Sequence, residues 1–321
     1  MSPRVKELSW SLSRARTFEE CPRRLYLHSY LSQAGYSPDA PEEARRALEM
    51  RSIKSLDMWV GEIVHGTIQW ALEQAREGSI PTAQDARSET RRRLSEGWQR
   101  SVKQLWRSNN ADEYPNLFDH YYGISVGDAT IERIKNKAFT SIGNFMDSYL
   151  LRRIATTPVD RWLPIDRFAS FRLDGLLMYV KFDFALKEGK RLIVYDWKTG
   201  VPSSDERRQL ACYAMYTSAK WAVPVANIAV CPVHLQPEFD AEEYTVADED
   251  VDDAKTYIKQ SFQGMVKCLR NPARNIAVMD DFPATGNLLR CVRCSFKGIC
   301  EQGKVASGDL DDYPLVEEWD V

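Results

Sequence analysis

Residues 183–200, DFALKEGKRLIVYDWKTG, restrict the fold of this chain more than any other stretch. The run RLIVYDW is rich in β-branched and aromatic side chains and reads as a core strand. Glu188-Gly189 ahead of it is a turn signal, so it predicts a hairpin with the preceding run LLMYVKFDFAL. Alternation along that preceding run puts Val180, Phe182 and Phe184 on one face and Lys181, Asp183 and Ala185 on the other. Asp196 and Lys198, two residues apart, share a face of the second strand. The hairpin then brings Asp183 beside Asp196, and two carboxylates and an ammonium converge at one sheet edge.

Converging carboxylates repel and raise each other's pKa unless a cation sits between them. A few hard oxygen ligands, completed by water, suit Mg²⁺ or Mn²⁺. Such an ion polarises a phosphodiester and acidifies water, while a lysine alongside orients that water or stabilises developing charge. An isolated D-x-K triplet is more often a surface ion pair at a hairpin end, so the remaining residues decide the reading.

The chain has 321 residues, 44% of them apolar and 28% charged, enough for one large domain or two modest ones. The N-terminal segment MSPRVKELSWSLSRARTF has no continuous apolar core of the kind a secretory signal needs. No apolar run approaches a membrane span, and a cytoplasmic protein without membrane attachment is the expectation. A net charge of −3 excludes a uniformly basic coat, although residues 86–107 carry seven Lys/Arg against two Glu, with Trp98 and Trp106 interleaved. A helix of that kind can track phosphates and stack bases. Charge runs on helices are usually solvent-facing, with the tryptophans packed inward.

The first thirty residues predict two short helices, with Ser13 as N-cap, Phe18 and Leu25 as anchors and Pro22 restarting the second. Residues 40–155 are periodic in the helical sense. Strand runs then follow at 166–173, 176–186 and 191–197, with a further turn at Asp174-Gly175. After them come a helix over 205–221, a strand in ANIAVCPVHL, a short strand EEYTV and a helix over 248–269. The acidic tail GDLDDYPLVEEWDV reads as a solvated terminus. No GxxxxGK[ST] occurs, so the chain is not its own nucleotide-driven motor.

Gln209 and Tyr213 lie i, i+4 on the helix after the DWK strand and share its face. His65 lies on a helix with Glu62 one turn earlier. Of seven cysteines, Cys291, Cys294 and Cys300 cluster as CVRCSFKGIC, a ligand-loop spacing that fits Zn²⁺ or an iron–sulfur cluster equally. Cys21 is the candidate fourth thiolate, whereas Cys212, Cys231 and Cys268 sit in apolar contexts as small hydrophobes.

In order, the chain carries SxSxxxxFxxCPRRxY from Ser11, GxxxH ending at His65, a strand aspartate, DWKTG, QxxxY and a terminal CxxCxxxxxC. That succession resembles the RecB-like branch of the PD-(D/E)XK nucleases. It is most similar to the iron–sulfur members, among them CRISPR-associated adaptation exonucleases and the nuclease modules of helicase–nucleases. The resemblance implies an α/β, restriction-endonuclease-like fold whose mixed central sheet is flanked by helices. It implies one nuclease domain over 1–321, divided into N-terminal helices (1–35), a helical region (36–160), the catalytic core (161–270), an iron–sulfur segment (271–308) and the acidic tail (309–321). It further implies Mg²⁺ or Mn²⁺ on His65, Asp183, Asp196 and the Trp197 carbonyl, with Lys198 as the catalytic lysine. Asp196 stands where many relatives carry Glu. Gln209 and Tyr213 match the motif that supports the site and contacts DNA. Cys21, Cys291, Cys294 and Cys300 match the ligands of a [4Fe–4S] cluster that joins the two ends of the chain as a structural staple, with Arg23, Arg24 and Tyr26 beside it as strand contacts. The implied activity is hydrolysis of DNA, on single strands or duplex ends, with a helicase or a CRISPR or defence complex as partner. The alternative is a DNA-binding subunit of such a complex that does not cut or that cuts only with its partner.

Overall fold

The computed structural model describes residues 7–108, 114–163, 167–200 and 205–309. Strand β1 (Ser9–Trp10) leads into helices α1 (Leu12–Glu20), α2 (Pro22–Tyr26) and α3 (Glu42–Arg51). Three longer helices, α4 (Leu56–Arg76), α5 (Ala83–Val102) and α6 (Asp128–Asp147), and the short α7 (Tyr149–Thr156) follow. The strands β2 (Arg167–Leu173), β3 (Leu176–Phe182), β4 (Phe184–Glu188) and β5 (Arg191–Lys198) come next. Helix α8 (Glu206–Trp221) then connects to β6 (Ile228–His234) and β7 (Tyr244–Thr245). The chain continues through α9 (Asp248–Lys267), α10 (Leu288–Val292) and α11 (Glu301–Asp309). The fold is mixed α/β. Among the described residues no helix is long and apolar enough to cross a membrane. Of the acidic tail, Gly308 and Asp309 end α11, and the remainder, from Leu310, lies outside the described residues.

The chain divides into two compact units. One draws on residues up to Ile53, on Arg172–Tyr179 and on residues from Lys255 onward; the other on Lys54–Phe171 and Val180–Ala254.

In the first unit β1 runs parallel to β3 through Ser9↔Leu177 and Trp10↔Met178. Trp10 is buried against this unit and its indole N–H donates to Ser261 on α9 at 2.9 Å. The N-cap of α1 is Ser11, not the expected Ser13. Ser11 holds the extended backbone an N-cap needs, and its hydroxyl accepts the Arg14 N–H at 3.2 Å. Pro22 does open α2, with Cys21 as the hinge between the helices. Helix α9 stops two residues short of the expected end, because Leu269–Asn271 pairs with Ile276–Ala277 as a two-stranded ribbon.

In the second unit the sheet order is β7-β6-β5-β4. The hairpin from β4 to β5 pairs Phe184↔Tyr195 through Glu188↔Arg191, and Gly189 takes φ +62°, a left-handed turn position open to glycine at little cost. β5 and β6 are parallel, from Leu192↔Ile228 to Lys198↔His234, with α8 as the crossover. One sheet face, bearing Ile193, Tyr195, Trp197, Ala229, Cys231 and Val233, packs on a helical cluster built from Trp59, Ile63, Phe145 and their neighbours. Helix α4 belongs there because its apolar residues recur at i, i+3, i+4, and Ser55 caps it by accepting the Met58 N–H. Trp106 is buried, and Trp98 packs between Trp59 and His120, so both tryptophans of the basic stretch face inward.

The expected common face of Phe182 and Phe184 does not hold. The chain bends at Asp183, which separates β3 from β4 and breaks the alternation. Phe182 packs on the rings of Tyr213, Tyr216 and Trp221 from α8, whereas Phe184 meets Trp162 and Tyr195 in the helical cluster.

Candidate active site

Every member of the acidic constellation lies in the second unit, around the bend at Asp183 and the end of β5. Asp183 is only 4% exposed. One of its oxygens accepts the Trp197 N–H at 2.7 Å, and the other lies 2.9 Å from His65 Nδ1. Helix α4 can bring His65 in because Gly61, one turn earlier, passes the DWKTG turn closely: a Cβ there would stand 3.3 Å from Thr199 Oγ1. This is a steric reason for the glycine of the GxxxH pattern.

Asp196 and Lys198 share the β5 face that α8 covers, as their spacing predicts. Tyr213 donates its hydroxyl to Asp196 Oδ1 at 3.3 Å and accepts from Gln209 Nε2 at 2.7 Å. Lys198 Nζ donates to Gln209 Oε1 at 2.6 Å and lies 2.5 Å from Asp196 Oδ2. The four side chains thus close a ring in which the lysine's position is held from two sides. Glu62 is turned elsewhere, onto Lys54 at 2.7 Å.

The electrostatics follow from burial. Desolvation disfavours an imidazolium at His65, but the Asp183 carboxylate in contact with it outweighs this and holds the ring's pKa above its usual value. At Asp196, burial raises the carboxyl; Lys198 opposes that rise and the charge of Asp183 adds to it. Burial, with the negative charge of Asp196 and Asp183, pushes the Tyr213 phenol well above its ordinary range, so its hydroxyl stays a donor.

Among the described residues no group of three or more His, Cys, Asp or Glu side chains is arranged to hold a metal ion. The donors are engaged with one another instead, His65 with Asp183 and Lys198 with Asp196. In kind they fit a hard divalent cation: two carboxylates 5% and 8% exposed at their side chains, an imidazole, and the Trp197 backbone alongside.

The four candidate cluster cysteines lie in the first unit and are free thiols. Cys21 stands between α1 and α2, Cys291 in α10, Cys294 in the turn after it and Cys300 just before α11. Burial raises the thiols of Cys291 and Cys294, the latter to about 11, and nearby Cys21 and Cys300 raise both further. Cys21 and Cys300 thus come near Cys291 and Cys294, but among the described residues the thiols, like the acidic site, are not arranged to hold a metal ion. The Phe296 N–H donates to Cys294 Sγ at 3.5 Å. Arg23 Nε donates to the Phe282 carbonyl at 2.7 Å, Arg24 pairs with Glu20 at 3.0 Å, and Tyr26 stacks on Tyr30. Cys212 and Cys231 are buried as expected; Cys268 is only half-buried.

One polar contact on the α8 face is absent from the sequence reading. His234 Nε2, at the end of β6, lies 3.5 Å from Glu206 Oε2 in the first turn of α8. Only the parallel register, which pairs residues 36 apart, could have pointed to it.

Among curated proteins no sequence match is found. Among solved structures, a candidate exonuclease from Eubacterium rectale aligns at 10% identity and TM-score 0.29, over 47% of this chain and 71% of its own. A likeness that slight carries no argument about the site. The family model of the PD-(D/E)XK nuclease superfamily, by contrast, matches residues 9–301, from β1 to the first residue of α11. A match over that span, with the carboxylates and lysine gathered at one sheet edge, places the chain in the PD-(D/E)XK nuclease superfamily.

Proposed function

We propose that the chain is a metal-dependent DNA nuclease acting as an exonuclease on single strands or duplex ends. The observation that carries this reading is the meeting of His65, Asp183, Asp196 and Lys198 at the bend and strand end. Asp183, Asp196, His65 and the Trp197 carbonyl are the groups that would hold Mg²⁺ or Mn²⁺. When bound, the ion supplies Lewis-acid neutralisation of a phosphodiester oxygen and acidifies water. Lys198 Nζ, fixed by Gln209 and Asp196, presents an N–H to the attacking water and to the charge that builds on phosphorus oxygens. Tyr213 keeps Asp196 oriented by donating to Oδ1, and Gln209 transmits that restraint to the lysine. Trp197 N–H fixes the second carboxylate, so neither acid depends on a loop for its position.

In the first unit, Cys21, Cys291, Cys294 and Cys300 are the proposed ligands of a [4Fe–4S] cluster. The free thiols, the influence of Cys21 and Cys300 on Cys291 and Cys294, and an N–H donated to one sulfur support this. The cluster's role is that of a staple: it closes the chain between its N- and C-terminal segments.

The test of exonuclease action is a comparison of linear and covalently closed circular DNA, single- and double-stranded, in Mg²⁺ or Mn²⁺. Loss of linear substrate with circles intact supports it. Cutting of circles establishes an endonuclease, and no cutting of either by folded protein points to a partner-dependent or non-catalytic DNA-binding role.

A further inference from the structure

We propose that His234 and Glu206 form a positioning pair that sets Lys198 by fixing the first turn of α8 against the sheet. This rests on the nuclease reading above and adds two residues to its site.

The pairing of β5 with β6 places Lys198 opposite His234, and the Leu235 N–H donates to the Lys198 carbonyl at 2.8 Å. Registered residues of parallel strands project to the same face, here the one α8 covers. Helix α8 meets that face with Glu206, Gln209 and Tyr213, spaced i, i+3 and i+7 and therefore on one stripe. Each has one polar partner on the sheet: Tyr213 with Asp196, Gln209 with Lys198, and Glu206 with His234. The His234 contact is the last rung of the same ladder, at the end where α8 begins.

At that end the N-cap residue, Asp205, turns its carboxylate to Arg208 Nη1 at 2.5 Å rather than to a backbone N–H, a tie within the helix that does not fix it to the sheet. A rotation of α8 about its axis would carry Gln209 Oε1 off the lysine. The side chains of His234 and Glu206 are only 13% and 17% exposed, so their contact is shielded from water. His234 Nδ1 is buried and has no hydrogen-bond partner among the described residues. A buried nitrogen without a partner is a stability liability that an apolar side chain would remove. Simple packing between β6 and α8 would favour leucine at this position; a polar ring there serves the Glu206 contact instead.

The test uses His234→Leu and the isosteric Glu206→Gln in the full chain. Two readouts are taken: reductive methylation of the Lys198 amine with formaldehyde and a borohydride reagent, followed by mass spectrometry without DNA or metal, and kcat and KM on linear DNA with Mn²⁺. We expect Lys198 to be methylated about threefold faster in both variants as local opening increases. We expect kcat to fall about tenfold with KM little changed, and the melting temperature of His234→Leu to stay level or rise. Unchanged methylation in both variants overturns the proposal, whatever the kinetics. Faster methylation in a protein whose wild type cuts no DNA upholds the pair and assigns the site a partner-dependent or non-catalytic role.

Discussion

Replacing Tyr213 by Phe removes one hydroxyl from the centre of the ring while leaving its aromatic packing against Phe182 in place. Two hydrogen bonds go with it: the long one donated to Asp196 at 3.3 Å and the one accepted from Gln209 at 2.7 Å. A bond to a charged group contributes about 1.5–3 kcal/mol, and the 3.3 Å length puts this one at the low end. Gln209 is half-buried and can turn partly to water, so its lost partner adds about 0.5 kcal/mol. No cavity term applies, since only an oxygen is deleted. The sum is about 2 kcal/mol, which for a unit of this size lowers the melting temperature by about 4–8 °C. Circular dichroism melts of wild type and Tyr213→Phe under identical conditions measure it. A change within about 1 °C, or a rise, would refute the ring as a source of stability.

Further outcomes follow from other parts of the chain. Cys21→Ala, purified without oxygen, is expected to lose the brown colour and most of the iron; full iron content would exclude Cys21 as a ligand. Burial pushes the Cys212 and Cys231 thiols up to about 12, so at pH 8 only about one in 10⁴ is thiolate. Iodoacetamide should therefore leave both unmodified until the protein is denatured, and native labelling at the rate of a free cysteine would contradict their burial. A Cβ at Gly97 would meet the buried Trp59 indole at 2.9 Å, whereas one at Gly143 has nothing within 4 Å. Gly97→Ala should destabilise by about 1–3 kcal/mol and Gly143→Ala should stabilise by up to about 1 kcal/mol; urea titrations showing the same sign for both would sink the packing argument.

The parts of the fold that could be read from the sequence are those encoded locally. Glu188-Gly189 announces its hairpin because one residue must take a left-handed turn, and α8 announces itself by an acidic start followed by sixteen helix-compatible residues. The pairing of Asp183 with the end of β5 follows from that hairpin alone. Period-two alternation puts Phe184 on the wrong face because it assumes an unbroken strand, and the bend at Asp183 is itself part of the site. Ser11 and Ser13 are equivalent by residue type; only backbone dihedrals separate them. His234 escaped because a parallel register is a long-range property with no local signal. Spacing singles out Cys291, Cys294 and Cys300 but only nominates Cys21, 270 residues away, because no local signal ties the two ends of a chain together.

The most direct measurement is metal-dependent cleavage of end-labelled linear DNA by wild type and by Lys198→Ala, both purified anaerobically and shown to be folded. Wild type is expected to cut in Mg²⁺ or Mn²⁺ and not in EDTA, and the variant to lose at least about a hundredfold with DNA binding retained. Equal cutting by the two proteins, or cutting that persists in EDTA, would contradict the proposed function.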